Sequence, residues 1–473
     1  MHSHSLRLAV CAAALLMSGC ASMAPALDKP AVAMPAAYAH GTPSGAQGST
    51  AAATLAWRDY FTDPVLAQLI AQALANNPDM RTAVLRVREA QAAYGVQRAD
   101  RLPTIGVGLD ATRARTPADL SLSGRAATAS QYQAGLGLSS WEIDLWGRIA
   151  SLNEAALQSF LATDAARRAV SVSLVAEVAD AYLGLRELQE RLRLAQASET
   201  SQRESLRIFT RRLEVGSASR LELTQVQTLL TQAESLVVQV QQERDAQRLA
   251  LSILVGDLSD AAIPMDDATA VDADILAPVS PGLPSDLLYS RPDVVAAEHQ
   301  LRGANANIGA ARAAFFPSIS LTGSIGSGSS ELSNLFDSGT RVWSFLPKIT
   351  LPIFQGGKLR ANLAIANADR DIALAQYEKS IQVGFRETAD ALALNVSLDE
   401  QVSAQQRLVD AAEQANRLSQ ARYDAGLDSF VTLLDARRTA YNAQQTQLQA
   451  QLAQQANRIT LYKVLGGGWH ERS

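Results

Sequence analysis

The sequence predicts a mainly helical protein that carries a little membrane-type β structure and is assembled from one internal tandem duplication. Three observations predict it. Arg148 to Leu213 runs without a proline and with one internal glycine, Gly184. Short segments elsewhere alternate apolar residues with small or polar ones. Landmarks of the first half also return in the second at a nearly constant offset: Pro78-Asp79 recurs as Pro292-Asp293, and Gly216 as Gly426.

The long stretch carries Leu174, Val178, Ala181, Leu185, Leu188 and Leu192 at 4-3-4-3-4 spacing, the seam of a coiled coil. A helix of that length spans roughly 100 Å, too long for the core of a compact domain, so it must project or line something elongated. After Gly216 the seam resumes in Leu223, Val226, Leu230, Ala233, Val237 and Val240. Gly216 stands at a helix C′ position, and Ser219-Arg220-Leu221-Glu222 is a capping box. Residues 148–257 therefore read as a long antiparallel helical hairpin.

Both cysteines fall in the first twenty residues. Arg7 followed by the apolar run Leu8–Met17 reads as a signal peptide (1–19), and Ser18-Gly19-Cys20 resembles a bacterial lipobox with Met17 in place of the usual leucine. Cys20 is the expected lipidation site, and the covalent lipid is the only non-protein group expected. No cysteine follows, which excludes disulfides and thiolate metal sites from the mature chain. Residues 20–56, rich in Pro, Ala, Gly, Ser and Thr, read as a flexible lipidated tether. Past residue 20 no apolar run is long enough for a membrane-spanning helix.

The first structural repeat is expected over 57–257. Amphipathic helix begins at Trp57, breaks at Asn77-Pro78 and continues to about Arg101. Past Pro103 the period drops to two: Ile105, Val107, Leu109 and Ala111 alternate with Gly106, Gly108, Asp110 and Thr112. A return strand follows, with Tyr132, Ala134, Leu136 and Leu138 on one face, giving a strand hairpin over 104–142. An acidic linker (258–284) leads to a second repeat (285–473), with its strand hairpin at 318–353 and its helical hairpin at 357–465. Gly147, Gly216 and Gly256 recur at one common offset as Gly357, Gly426 and Gly466. Pro103 recurs at a slightly larger offset as Pro317, so the first strand hairpin is the longer of the two.

Each chain thus brings four strands with one apolar face. Ten residues tilted by about 40° cover the ~25 Å apolar band of an outer-membrane barrel, and the smallest such barrel has about eight strands. Four cannot close, and an open edge in lipid leaves backbone groups unpaired at several kcal/mol each. Copies of the chain must supply the missing strands; two copies would give eight and three would give twelve. The competing expectation is an ordinary hairpin sheet packed on soluble helices.

The motifs resemble one family. They are Trp141-Glu-Ile-Asp-Leu-Trp-Gly-Arg148, Ser290-Arg-Pro-Asp-Val294, Ala304-Asn-Ala-Asn-Ile-Gly-Ala-Ala-Arg312, Phe315-Phe-Pro-Ser-Ile319, Arg422-Tyr-Asp-Ala-Gly426, Leu433-Leu-Asp-Ala436 and Leu465-Gly-Gly-Gly-Trp469. Together with the duplication, they make the chain resemble the TolC-like outer-membrane efflux factors, in the lipoprotein (NodT-type) branch that works with RND pumps. The resemblance implies a homotrimer: a helical α-barrel in the periplasm joined to a 12-stranded β-barrel, four strands per chain. It implies a passive conduit in the Gram-negative outer membrane, with a periplasmic adaptor and an inner-membrane RND pump as partners and drugs or other small toxic compounds as cargo.

By the same resemblance the hairpin-tip turns at Gly216 and Gly426 form a periplasmic gate, with Asp435 in a carboxylate ring at the constriction. Tyr423, Asp428 and Arg422, with Arg220 and Glu222 on the other hairpin, are candidates for holding it shut. Glu222 is also explained by its cap, and Asp428 or Ser429 by capping the last helix. No catalytic triad or metal cluster is visible, and His40, His299 and His470 lie far apart, so an enzyme, a metal and a soluble cofactor are not expected. Lys+Arg (42) nearly balance Asp+Glu (47) with no basic block, which argues against nucleic acid. The alternatives are the duct of a type I protein secretion system and, from another class, a periplasmic coiled-coil adaptor. Adaptors carry one helical hairpin, not two interleaved with strands.

Overall fold

The computed structural model describes residues 22–27, 35, 38, 50–121, 124–258, 275–280, 282 and 284–469. The signal peptide and Cys20 lie outside the described residues. Two compact units share the chain: one holds 1–31, 87–163 and 296–378, the other 32–86, 164–295 and 379–473. No helix is long and apolar enough to cross a membrane among the described residues.

The first unit is organised by a four-stranded antiparallel sheet in the order β2-β3-β5-β6. These strands are Ile105–Thr116 (β2), Ala127–Ile143 (β3), Ser318–Ser329 (β5) and Arg341–Thr350 (β6). Register places Val107, Leu136, Ile325 and Trp343 in one row across all four strands, and Ile319 beside Ile349 lower down. That face is bare: Val107 is 84 % exposed, Trp343 72 % and Ile349 69 %. The other face carries glycine, serine, threonine and glutamine, with Ser324 Oγ 2.8 Å from Ser344 Oγ. One bulge, between Leu138 and Trp141 of β3, brings Trp141 and Ile143 back to the apolar side. Both outer strands, β2 and β6, keep an unpaired edge.

Glycine lets β3 and β5 approach. Gly135 faces Gly326, and a Cβ on Gly326 would stand 2.1 Å from the Ala134 carbonyl oxygen.

The second unit holds the parts of the long helices that reach the tips. Arg148–Glu214 (α4) is followed by Arg220–Val255 (α5), and Lys358–Asp424 (α8) by Phe430–Val464 (α9). Each repeat opens with a helix that starts at proline, Pro78–Ala99 (α3) and Pro292–Ala313 (α7). The short helices Trp57–Tyr60 (α1) and Pro64–Asn76 (α2) precede α3, and Leu287–Ser290 (α6) precedes α7. The core here gathers Leu66, Leu69, Ile70, Leu183, Leu185, Leu251 and Ile459. Tyr60 stacks on Tyr462 at 3.9 Å, and their hydroxyls donate to the carbonyls of Arg458 and Leu55. Asp63 caps α2 and accepts hydrogen bonds from Tyr182 and Arg186.

The duplication survives as matched joints. Gly256 (φ 75°) abuts the backbone of Asn76; its counterpart Gly466 (φ 80°) abuts Ser290, the counterpart of Asn76 in the second repeat. Beside the first joint Asn77 Nδ2 donates to the Leu254 carbonyl at 3.0 Å; at the equivalent place Arg291 Nη1 donates to the Val464 carbonyl at 3.2 Å. Arg291 is nearly buried and is neutralised by Asp293 and Glu387. Gly467 lies against the ring of Tyr462, where a Cβ would come within 2.2 Å, so the closing Gly-Gly-Gly is a packing requirement.

One expectation needs correction. The stretch 20–56 is not wholly a free tether: Ser22 Oγ meets Ser151 Oγ, Tyr38 stacks on Phe385, and Thr50–Ala51 (β1) pairs in parallel with Val279–Ser280 (β4). The described end of the linker is likewise tied down, since Phe61 bridges to Leu276. Two-residue strands have no periodicity to read, and their pairing is set by the core beneath them.

Gly326→Ala is expected to destabilise by about 1–3 kcal/mol through overpacking between strands. Gly106→Ala, whose Cβ would meet nothing within 4 Å, should stay within about 0.5 kcal/mol. Denaturation of the two variants side by side in detergent decides; equal losses would contradict the close approach. A pH effect is expected at Asp180, whose Oδ1 is buried without a donor. Burial pushes its carboxyl up to about 6, against the pull of Lys463 and with the push of Glu177. The folded chain therefore holds a proton that the unfolded chain releases near pH 4, so this group costs stability as pH rises from about 4 to about 6. Asp180→Asn should stabilise by roughly 1–2 kcal/mol at pH 8, a value discounted for its remaining contact with water, and by little at pH 4. Thermal midpoints at both pH values check it.

Candidate functional site

The two hairpin tips of one chain lie side by side within the second unit. Each turn is closed by the same backbone device. Gly216 (φ 73°) donates to the Leu213 carbonyl and Ser217 to Arg212; Gly426 (φ 74°) donates to Tyr423 and Leu427 to Arg422. This pair of hydrogen bonds with a left-handed glycine ends α4 and α8 alike. Ser219 then caps α5, its Oγ accepting from the Glu222 N–H while the Glu222 carboxylate accepts from the Ser219 N–H at 2.7 Å. Those hydrogen bonds hold the Glu222 carboxyl below the usual carboxylate range. At the second tip Ser429 caps α9, which leaves Asp428 for a two-pronged ion pair with Arg422 at 2.7 and 2.9 Å. Arg422 holds the Asp428 carboxyl low in turn.

What joins the tips is a small apolar cluster of Phe209 and Val226 from the first hairpin with Phe430 and Leu433 from the second. The Phe209 and Phe430 rings lie 4.3 Å apart, and Tyr423 leans on Phe430 at 5.5 Å. Arg212 covers the cluster: its guanidinium stands over the Phe209 ring and donates to the Tyr423 hydroxyl. Farther from the turns, Arg437 donates to Ser205 Oγ across the hairpins and to Gln420 Oε1 within its own. Burial pushes the Arg437 guanidinium pKa down.

The candidate residues therefore divide. Tyr423 touches the other hairpin. Arg422 and Asp428 bind each other within one turn, and Glu222 is occupied by its cap. Arg220 is exposed and reaches none of the others. Asp435, 65 % exposed at its side chain, pairs with Arg438 one turn along α9. It borders a groove of about 610 Å³ between the hairpins, shared with Gln225, Thr228, Gln232 and Arg437.

Arg212, Phe209, Phe430 and Arg437 were not among the residues expected from sequence. For Arg212 a signal exists: it is the repeat counterpart of Arg422, while the position matching Asp428 is Ala218. Lacking a carboxylate in its own turn, Arg212 turns outward to Tyr423. The remaining three differ between repeats, and no repeat comparison singles them out.

A double-mutant cycle of Arg212→Gln and Tyr423→Phe should show coupling of about 0.5–1.5 kcal/mol. Each single variant should speed amide exchange at the tips several-fold. Additive effects would remove the latch.

The model of a family described as outer membrane efflux protein matches residues 69–257 and again 283–467, once per repeat. The chain is 45 % identical over 464 residues to the solvent efflux pump outer membrane protein SrpC of Pseudomonas putida, covering 96 % of this chain and 97 % of that protein. It is 41 % identical to outer membrane protein OprJ of Pseudomonas aeruginosa, covering 96 % and 95 %. Among solved structures it resembles a Pseudomonas aeruginosa membrane protein with a TM-score of 0.88 at 41 % identity, covering 95 % of this chain and 98 % of that one. The open state of the MtrE outer membrane channel of Neisseria gonorrhoeae matches with a TM-score of 0.85 at 38 % identity, covering 95 % and 99 %.

Proposed function

This chain belongs to the outer membrane efflux protein family, and from that premise we propose that three copies of it form a passive conduit through the outer membrane. One observation carries the reading: a four-stranded sheet exposes an apolar face and leaves β2 and β6 unpaired at its two edges. In hydrocarbon those edges must be satisfied, and twelve strands from three chains close the ring. Eight strands from two chains would also close, but the trimeric TolC-like channels it resembles in structure favour three.

The conduit serves a tripartite RND-type efflux system, with a periplasmic adaptor and an inner-membrane pump as partners. Solvents or other small toxic compounds are the cargo class supported by the name of the P. putida relative. Cys20 carries the lipid anchor. The chain does no bond-making chemistry; energy comes from the pump. The hairpin tips are the gate, with Arg212, Tyr423 and the aromatic cluster keeping the hairpins together. Asp435 contributes a ring of three carboxylates, which attracts cations, and Arg438 beside each one tempers it.

Two measurements test this. Purified chain should run as an SDS-resistant oligomer three times the monomer mass that dissociates on heating; a stable monomer would sink the conduit. In planar bilayers Asp435→Ala should raise conductance and weaken block by multivalent cations, while Arg438→Gln should strengthen that block. Recordings that match the unaltered channel for both variants would remove the carboxylate ring.

A further inference from the structure

The apolar face of the sheet ends in arginine on one side only. On β2 the two-residue period through Ile105, Val107, Leu109 and Ala111 continues to Arg113 and Arg115. On β6 the same face reads upward from Ile349 through Phe345 and Trp343 and stops at Arg341. Eight residues separate Ile349 from Arg341, about 27 Å along the strand and about 21 Å of height at a ~40° tilt, close to the full apolar band of a barrel. The three guanidiniums therefore stand at the upper rim of that band. They lie at the strand ends joined by 117–126 and 330–340, whereas the lower strand ends run into helices α3, α4, α7 and α8.

The lower rim differs. The same face carries Ile143, Ile319 and Ile349 there. The nearby charges are elsewhere: Glu142 alternates off this face and pairs with Arg148, and Lys348 alternates to the polar side. Arg113, Arg115 and Arg341 are all exposed, and none makes an ion pair or side-chain hydrogen bond within the described residues. The carboxylates at that end, Asp119, Glu331 and Asp337, sit in the connections between strands, and Glu331 is engaged by Asn334.

Arginine at the edge of hydrocarbon costs only about 0–1 kcal/mol, and its long stem lifts the guanidinium into the headgroup layer, where anions are within its reach. A guanidinium is a planar fork of donors that grips phosphate with two parallel hydrogen bonds and keeps its charge at any working pH. The helices mark the periplasmic end, so the arginine rim faces the outer leaflet. In a Gram-negative outer membrane that leaflet is built of glycolipid whose disaccharide base bears phosphates. We propose that Arg113, Arg115 and Arg341 form a docking rim for the phosphates of lipid A. The proposal rests on the conduit reading above, because only a sheet inserted in the outer membrane meets that leaflet.

The test uses the purified full-length protein in detergent micelles and, separately, reconstituted into phosphatidylcholine vesicles. Binding of bisphosphoryl lipid A is titrated against the unaltered chain and the triple variant Arg113→Gln, Arg115→Gln, Arg341→Gln. The triple variant should bind about a hundredfold more weakly, and monophosphoryl lipid A should lose part of the affinity for the unaltered chain only. A control triple, Arg193→Gln, Arg386→Gln and Arg417→Gln, removes the same charge from exposed helix positions and should bind as the unaltered chain does. Each single rim variant is measured as well, so that a misfolded triple leaves the comparison intact. Lipid A binding unchanged in the rim variants, or phosphatidylglycerol binding as tightly as lipid A, overturns the proposal. Failure of the unaltered chain to insert into vesicles at all overturns the conduit reading and this proposal together, whereas insertion with indifferent lipid A binding overturns this one alone.

Discussion

Inside a bilayer no water is available to a backbone N–H or C=O, and an unpaired group there costs several kcal/mol. The sheet of this chain has two edges and a bare apolar face, so its stability in the membrane is set by what pairs with β2 and β6. Much else follows from that demand. The strands run 10 to 17 residues, alternate apart from the one bulge in β3, and use glycine where β3 and β5 crowd together. The helical part is relieved of any spanning role, and its seams are mixed Leu, Val and Ala rather than continuous apolar runs.

The duplication explains how one chain supplies both hairpins, and its imperfections show where the copies took up different work. The joint at the base of each long hairpin keeps the same glycine and the same accepting carbonyl, yet Asn77 serves one and Arg291 the other. A neutral amide needs no counter-charge; a buried guanidinium does, and Asp293 and Glu387 supply it. At the tips the same divergence runs the opposite way. Arg422 finds Asp428 in its own turn, whereas Arg212 has Ala218 at the matching place and reaches to Tyr423. One carboxylate, present at 428 and replaced by Ala218 in the other repeat, separates a local ion pair from a contact between hairpins.

Much of this was legible in the residues. Helix ends were marked by Gly216, Gly426 and the Ser219 capping box, and strand faces by strict alternation, because these signals act within a few residues of themselves. The tip contacts were harder. Asp435 was recognisable as a candidate, but its neighbour Arg438 changes its charge environment, and Arg220 and Glu222 proved separate from the inter-hairpin latch. Phe209 and Phe430 meet from opposite halves of the chain, and nothing in either local pattern announces the other. The β3 bulge and the β1–β4 pair were invisible for a related reason: one extra residue or a two-residue strand leaves no period to count.

The segment from Ser22 to Leu27 was expected to hang free, yet it lies along α7. Asn305 holds the Pro25 carbonyl, Arg312 holds that of Met23, and Gly309 leaves room for Ala24. From Pro25 back to Met23 the backbone climbs α7 towards the residues that start β5. Ser22 itself meets Ser151 near the start of α4, at the foot of the sheet. This stretch of chain thereby works as a staple, since Ser22 grips the first repeat at Ser151 while Pro25 is gripped by the second at Asn305.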